Sequence, residues 1–474
     1  MSQQPPPADG PDDDLADSPV ADYPAADYPV GGRRSVDSHG AASGLSGSSK
    51  LDNRRKFIRG SSLFIASALP PAGLAAASSA SSSATSAALR QSPLDVDSTS
   101  TGQREVKLGL IGCGFRGMNV ISSLLAGQSR DGRWHLTAVA DAFPDRMQQA
   151  LRGLKGKFPQ QVAVDSAARC LGLSGYQQLL QRDVDLVVLA SPPAFRPEHF
   201  EAAVAAGKHV YAEKPIAVDV EGVRRFQAAN VLAEEQGLVV SVGWPRHHQA
   251  HFHAALDQVR GGAIGHIVSG RAFQNVRLPS PLAAGKLQGV REAQLRNWMH
   301  HQWASGGPWI EPQVHNLDTM NGLFGTHPLA ARPADTGLLS EIVELADFRG
   351  GSDQPTEDWV HHQPVEYLYP GGISLLSYCQ VVEAPRLAKR VLTVQGTHGQ
   401  CDLLTGKIFD LQGRLVWRPP QVEAGSEPFN GLIAALAAGS RFNQAAAAIE
   451  ATLTAILGRT ANSQSRRVAW DELA

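Results

Sequence analysis

Cysteine is scarce. The 474-residue chain has four, Cys113, Cys170, Cys379 and Cys401, widely spaced and with no CxxC pair. A zinc ribbon or a disulfide framework is therefore not expected. An excess of one charge is also missing: 43 Lys and Arg face 45 Asp and Glu, a formal net charge of −2. A nucleic-acid or polybasic membrane binder would carry a basic surplus, so neither partner is expected. HExxH is absent too. His247 and His251 are spaced i, i+4, and His300-His301 and His361-His362 are adjacent pairs, but no cysteine or acid stands within the first group. No metal site is expected.

What is present is ordinary for a globular protein: 43% hydrophobic and 19% charged residues. The length predicts two to three domains at roughly 100–200 residues each, ample for a full core. The first hundred residues differ. Residues 1–53 hold nine Asp, are rich in Pro, Ser and Gly, and repeat Ala-Asp-Tyr-Pro at Ala21 and Ala26. Such a segment buries too little apolar surface to offset its chain entropy, so disorder is expected. Next come Asn53-Arg54-Arg55-Lys56-Phe57-Ile58-Arg59 and the uncharged Ser61–Ala77, interrupted by Pro70 and Pro71. That stretch is too short and too interrupted for a membrane span of about 20 residues. Basic residues, a short apolar stretch and small residues follow signal-peptide order. The arginine pair resembles a twin-arginine export signal. The expected layout is a signal over 54–80, a linker over 81–104 and an exported, periplasmic protein without a stable membrane anchor; a cytoplasmic protein is the alternative.

A dinucleotide site begins near residue 105. Val106–Ile111 is a β-rich run, followed by Gly112-Cys113-Gly114-Phe115-Arg116-Gly117 and a helix-compatible stretch over Met118–Leu125. Gly112 allows the tight turn, Gly114 lets the backbone approach a pyrophosphate, and Gly117 permits close helix–strand packing. In this loop Cys113 is read for its small size. A second strand, His135–Ala140, ends at Asp141, twenty-four residues past Gly117. This is close to the spacing of a ribose-binding acid, and a carboxylate there repels a 2′-phosphate. NAD is expected over NADP.

Strands and helices then alternate. Asp185–Ala190 is a continuous apolar strand ending in Ser191-Pro192-Pro193. A helix is expected over Glu198–Ala206, a strand over His209–Ala212 ending in Glu213-Lys214-Pro215, a helix over Glu221–Gln236 and a strand over Leu238–Val242. This predicts a doubly wound α/β Rossmann domain over 105–245, with ligands at the carboxyl ends of its strands. From about residue 265 the runs Ile267–Val276, Ile342–Phe348, Val365–Tyr369, Ile373–Val381, Arg390–Gly396 and the hairpin-like Lys407–Arg418 predict an α+β domain over 246–474.

The glycine loop, the strand ending in Ser-Pro-Pro and the run His199–Pro215 (HFEAAVAAGKHVYAEKP) together resemble the Gfo/Idh/MocA oxidoreductases. That family includes glucose–fructose oxidoreductase and inositol dehydrogenase. The resemblance covers about residues 105–474, since Ala451–Arg459 and Val468–Asp471 are similar to its closing helix and segment. It implies a large, mostly antiparallel sheet in the second domain, bound NAD, a sugar-like substrate and a homo-oligomer. Besides the glycine loop with Phe115 and Arg116, and Asp141, it implies cofactor contacts at Ser191, Pro192, Glu213 and Lys214. It also implies a rigid loop at Pro215 with a cis bond.

Lys214 on a strand-end loop suits a group that hydrogen-bonds a substrate hydroxyl and favours loss of its proton. Glu311, His315 and Asp318 are spaced i, i+4, i+7. On a helix they share a face, which predicts a histidine acid/base between two carboxylates. The resemblance implies a catalytic Asp and His four residues apart; His315 matches, but Glu311 replaces the Asp. Arg296-Asn297-Trp298 resembles a cavity-lining stretch, with Trp298 placed to stack on a sugar face. Arg246 is expected at the domain junction, so the expected substrate contacts are Arg246, Trp298 and His315.

Three functions fit these residues. One is an NAD-dependent dehydrogenase of a sugar, polyol or related small molecule. A second is an exported, redox-neutral glycoside hydrolase or epimerase that retains its NAD, since NAD-dependent glycosidases depart from the two-carboxylate scheme. The third is a non-catalytic NAD- or sugar-binding protein.

Overall fold

The computed structural model describes residues 105–127, 133–282, 289–334, 364–381, 390–420 and 429–473. The readings placed on residues 1–104, the strand expected at Ile342–Phe348, and His361 and His362 lie outside them.

The first sheet is a doubly wound parallel sheet. Its strands are β1 (Val106–Ile111), β2 (Trp134–Asp141), β3 (Arg169–Leu171), β4 (Leu186–Leu189), β5 (His209–Ala212) and β6 (Val240–Val242), in the order β3-β2-β1-β4-β5-β6. Both faces are covered, so the inner strands are apolar throughout; all four residues of β4 are buried. The helices are α1 (Phe115–Gly127), α2 (Pro144–Lys157), α3 (Gly175–Leu180), α4 (Arg196–Ala205) and α5 (Val220–Glu235). Helix α1 starts three residues earlier than the sequence pattern indicates, because the Met118 amide already reaches the Gly114 carbonyl. Pro144 opens α2, with Asp145 in its first turn and Lys155 and Lys157 in its last, matching the helix dipole. The Asp219 side chain caps α5 by accepting from the Gly222 amide at 2.7 Å.

Helices α6 (Ala250–Arg260), α7 (Val290–Arg296), α8 (Gln302–Ser305) and α9 (Val314–Phe324) follow. The second sheet comprises β7 (Ile267–Val276), β8 (Ala330–Pro333), β9 (Val365–Leu368), β10 (Ser374–Val381), β11 (Arg390–Gly396), β12 (Gly399–Asp402), β13 (Lys407–Asp410), β14 (Leu415–Trp417) and β15 (Val468–Ala469). Their order is β14-β13-β12-β11-β7-β10-β9-β8-β15, antiparallel except for the β7–β10 pair. The chain is thus a parallel α/β sheet followed by a large, mostly antiparallel one.

Packing does not follow the chain boundary at 245. Helix α10 (Asn430–Ala438) returns to the first domain, where Phe429, Leu432 and Leu436 share a core with Leu108 and Ile121. Helix α11 (Ala445–Ser463) serves both cores. Its Ala445, Ala448 and Ala451 pack under the Rossmann sheet, and its Ile456, Leu457 and Ala461 pack on the second sheet. Small residues along α11 allow this close double contact. Among the described residues no helix is long and apolar enough to cross a membrane.

Candidate active site

The nucleotide end is made where β1 turns into α1. Gly112 has φ +96°, a conformation that favours glycine, and a Cβ there would stand 2.6 Å from the Ala190 carbonyl carbon. At Gly117 a Cβ would overlap the Gly112 carbonyl oxygen, so α1 packs directly on the turn. Gly114 is open: an added Cβ would meet only Arg146, at 3.6 Å. This is a cradle into which a pyrophosphate fits, with Phe115 exposed beside it. Asp141 faces the loop from the end of β2. Its carboxylate accepts from the Cys113 amide at 2.7 Å and the Phe143 amide at 2.9 Å. Burial raises its pKa, opposed by those two amides and by Arg146. All four cysteines are buried and unpaired, and Cys113 is 2% exposed.

The inner edge is braced across strands. Arg196 donates to the carbonyls of Ser191 and Pro215, tying the loops after β4 and β5 together. The Ser191 hydroxyl lies 3.0 Å from His199 Nδ1 and is buried, so this hydroxyl faces the protein. The Lys214–Pro215 bond is cis. Arg116 pairs with the buried Glu213 at 2.8 Å, and the Tyr211 hydroxyl donates to the same carboxylate at 3.1 Å.

Lys214 is 6% exposed and reaches out of the Rossmann domain. Its ammonium donates to the Glu311 carbonyl at 2.6 Å and to Glu311 Oε1 at 3.0 Å. The nearby His315 stands edge-on to Trp244, with ring centroids 5.6 Å apart. Burial drives the His315 imidazole well below its usual pKa, and the charges of Lys214, Arg246, Arg116 and Arg390 push the same way. These influences favour the neutral imidazole, whose unprotonated ring nitrogen can accept a hydrogen bond from a hydroxyl.

The expected carboxylate–histidine–carboxylate face does not form. Helix α9 begins at Val314, so Glu311 lies in the preceding turn. The residue before a proline disfavours helical backbone, and Pro312 follows Glu311. Glu311 is instead the partner of Lys214. Asp318 is 2% exposed and pairs with His247 at 2.7 Å. It positions the Pro245–His248 turn and is not hydrogen-bonded to His315. Trp298 is half-buried in a one-turn 3₁₀ helix, and Met299, not Trp298, lines the small cavity beside Glu311 with Val276, Leu278 and Val381. Among the described residues no three His, Cys, Asp or Glu side chains converge as a metal site.

Three features were not anticipated. Arg246 Nη1 donates to His315 O at 3.1 Å, Asn316 Oδ1 at 2.8 Å and Thr319 Oγ1 at 3.3 Å. Gln313 pins the start of α9 to the sheet through the Ala272 carbonyl (2.6 Å) and the Ser377 hydroxyl (2.7 Å). Arg296 does not line the cavity: it makes two 2.9 Å bonds to Asp145 and lies 3.9 Å over the Phe143 ring, clamping α7 onto the loop after Asp141. No sequence signal marks these pairs, which join positions far apart in the chain.

Residues 106–244 match the family model described as "Oxidoreductase family, NAD-binding Rossmann fold". This stretch is the first, parallel-sheet domain, and it is similar to the nucleotide-binding domain of that family. An inositol 2-dehydrogenase from Rhizobium meliloti is 31% identical over 239 residues, covering 50% of this chain and 61% of the relative. A 1,5-anhydro-D-fructose reductase from Ensifer adhaerens is 30% identical over 178 residues, covering 38% of this chain and 46% of the relative. The chain thus spans about half the length of the curated relatives it matches. Beyond the matched domain the likeness is one of fold. The crystal structure of an aldose-aldose oxidoreductase from Caulobacter crescentus complexed with glycerol superposes with a TM-score of 0.56 at 18% identity, covering 77% of this chain and 100% of that one.

Proposed function

We propose that the protein is an NAD-dependent dehydrogenase acting on a hydroxyl of a sugar, polyol or related small molecule. One observation carries this reading: Lys214, from the strand-end loop of the nucleotide domain, meets Glu311 of the second domain beside a neutral His315. A bound nicotinamide supplies the hydride acceptor or donor. The protein holds the dinucleotide at Gly112–Gly117 and Asp141. His315 takes the hydroxyl proton, and the Lys214 ammonium donates a hydrogen bond to the oxygen as negative charge develops on it. Glu311 in place of the shorter acid holds Lys214 in position; its own oxygen is not required to take the proton. Asp141 supports NAD over NADP in this proposal, since a carboxylate at the end of β2 would repel a 2′-phosphate.

A second reading, redox-neutral sugar chemistry with retained NAD in an exported enzyme, has two supports. One is the Arg54-Arg55 pair in its signal-like setting. The other is the Arg296–Asp145 pair next to the loop after Asp141, which would hinder release of a nucleotide bound there. A homo-oligomer through the broad second sheet is part of the proposal by family resemblance, and light scattering tests it. The deciding experiment is denaturation of the purified protein with mass spectrometry of released nucleotide. Stoichiometric NAD supports the retained-cofactor form. An empty protein that binds NADH reversibly supports the ordinary dehydrogenase. Failure to bind either NADH or NADPH overturns both readings.

A further inference from the structure

Two arginines near the proposed catalytic histidine form no ion pair among the described residues. Arg246 uses Nη1 for three bonds to α9, and among the described residues no other hydrogen bond engages its remaining nitrogens. Arg390 stands opposite Gln274 in the antiparallel β11–β7 pair. Side chains directly opposite in such a pair share a face. Gln274 faces α9, since its Oε1 accepts from Asn316 Nδ2 at 3.1 Å. Arg390 is therefore on the α9 side of the sheet, and it is exposed there. Asn316 accepts from Arg246 through Oδ1 and donates to Gln274 through Nδ2.

The nearby acids are committed elsewhere: Glu213 to Arg116, Glu311 to Lys214 and Asp318 to His247. Neither Arg246 nor Arg390 has an ion-pair partner among the described residues. Burial lowers the Arg246 pKa to about 10; the Asp318 carboxylate opposes the shift and the charge of Arg390 adds to it. Arg246, which keeps nitrogens unused, and the exposed Arg390 are linked through Asn316 and Gln274, and a guanidinium fork matches the geometry of an oxyanion.

We propose that the substrate carries an anionic group, a carboxylate or a phosphate on the sugar or polyol, held by Arg246 and Arg390 next to His315. This rests on the dehydrogenase reading and names its substrate class: acidic sugar derivatives rather than neutral polyols.

The test is calorimetric titration of the NADH-loaded full chain with D-glucuronate, D-glucose 6-phosphate and D-glucose. At least one acid is expected to bind tenfold or more tightly than D-glucose, and to weaken as salt is raised. Preference for glucuronate identifies a carboxylate site, and preference for the 6-phosphate a phosphate site. Arg390→Gln, on an exposed strand end, is expected to bring the acid-to-neutral ratio near one while NADH binding is kept. Equal or weaker binding of both acids overturns the proposal, as does a ratio that survives Arg390→Gln. If the unmutated protein binds no NADH, the parent reading fails instead, so the two failures are distinguishable.

Discussion

At the nucleotide end of the cleft, Asp141 is tied by two backbone amides, those of Cys113 and Phe143. At the substrate end, Lys214, Asp318 and Asn316 are tied by side chains from other elements: Glu311, His247 and Gln274. The first arrangement depends on local backbone geometry and tolerates side-chain change around it. The second depends on buried long-range pairs, in which loss of one partner strands the other. On the proposed reading, nucleotide binding and hydroxyl chemistry are therefore separable by mutation.

The largest separation is expected for Lys214→Ala and His315→Ala. Each should lower kcat by about a hundred- to ten-thousandfold, with NADH fluorescence titration changed far less. Equal loss of nucleotide binding would erase the contrast. Asp318→Ala should act on folding, because it leaves His247 unpartnered in the core. A stability loss of about 3–5 kcal/mol is expected in urea titration, with NADH binding retained in the folded fraction.

A pH effect should come next. Burial holds His199 and His248 down to about 4 and His315 well below its usual value. Between about pH 6.5 and 4 the unfolded chain takes up protons on these histidines that the folded chain does not. Their contribution to stability is complete above 6.5 and declines as pH falls towards 4. Thermal unfolding across that window should show Tm falling, and His199→Gln should flatten part of the slope. The smallest effect is expected at the clamp. The partner of Arg296, Asp145, is 62% exposed, so the pair contributes at most about 1 kcal/mol. Arg296→Ala should raise the NADH dissociation rate by about fivefold or less in stopped flow, with hydride transfer unchanged.

The nucleotide half was legible in the sequence because its determinants are local. Gly112, Gly114, Gly117 and Asp141 work through turn geometry and strand order, which spacing encodes. The three-residue β3 and six-residue α3 are too short to show periodicity, whereas α2 carries Met147, Ala150 and Leu154 at helical spacing. At the substrate end, spacing misled. Glu311, His315 and Asp318 have helical periodicity, but Pro312 keeps Glu311 out of α9, and Asp318 turns to His247. Arg246 meets Asn316 seventy residues on, and Arg390 meets the α9 face only through strand register. A one-dimensional pattern holds no record of such pairings. Helix α11 blurs the domain boundary for the same reason, since its two halves enter different cores.

The central claim is that Lys214 and His315 act on a hydroxyl beside a nicotinamide. Its most direct test is a single-turnover reaction of NAD-loaded protein with D-glucuronate, D-glucose 6-phosphate, myo-inositol and D-glucose, followed at the absorbance of NADH. The account predicts a rise approaching one NADH per site with at least one of them, absent in Lys214→Ala. No rise with any of the four, or an equal rise in Lys214→Ala, would contradict it.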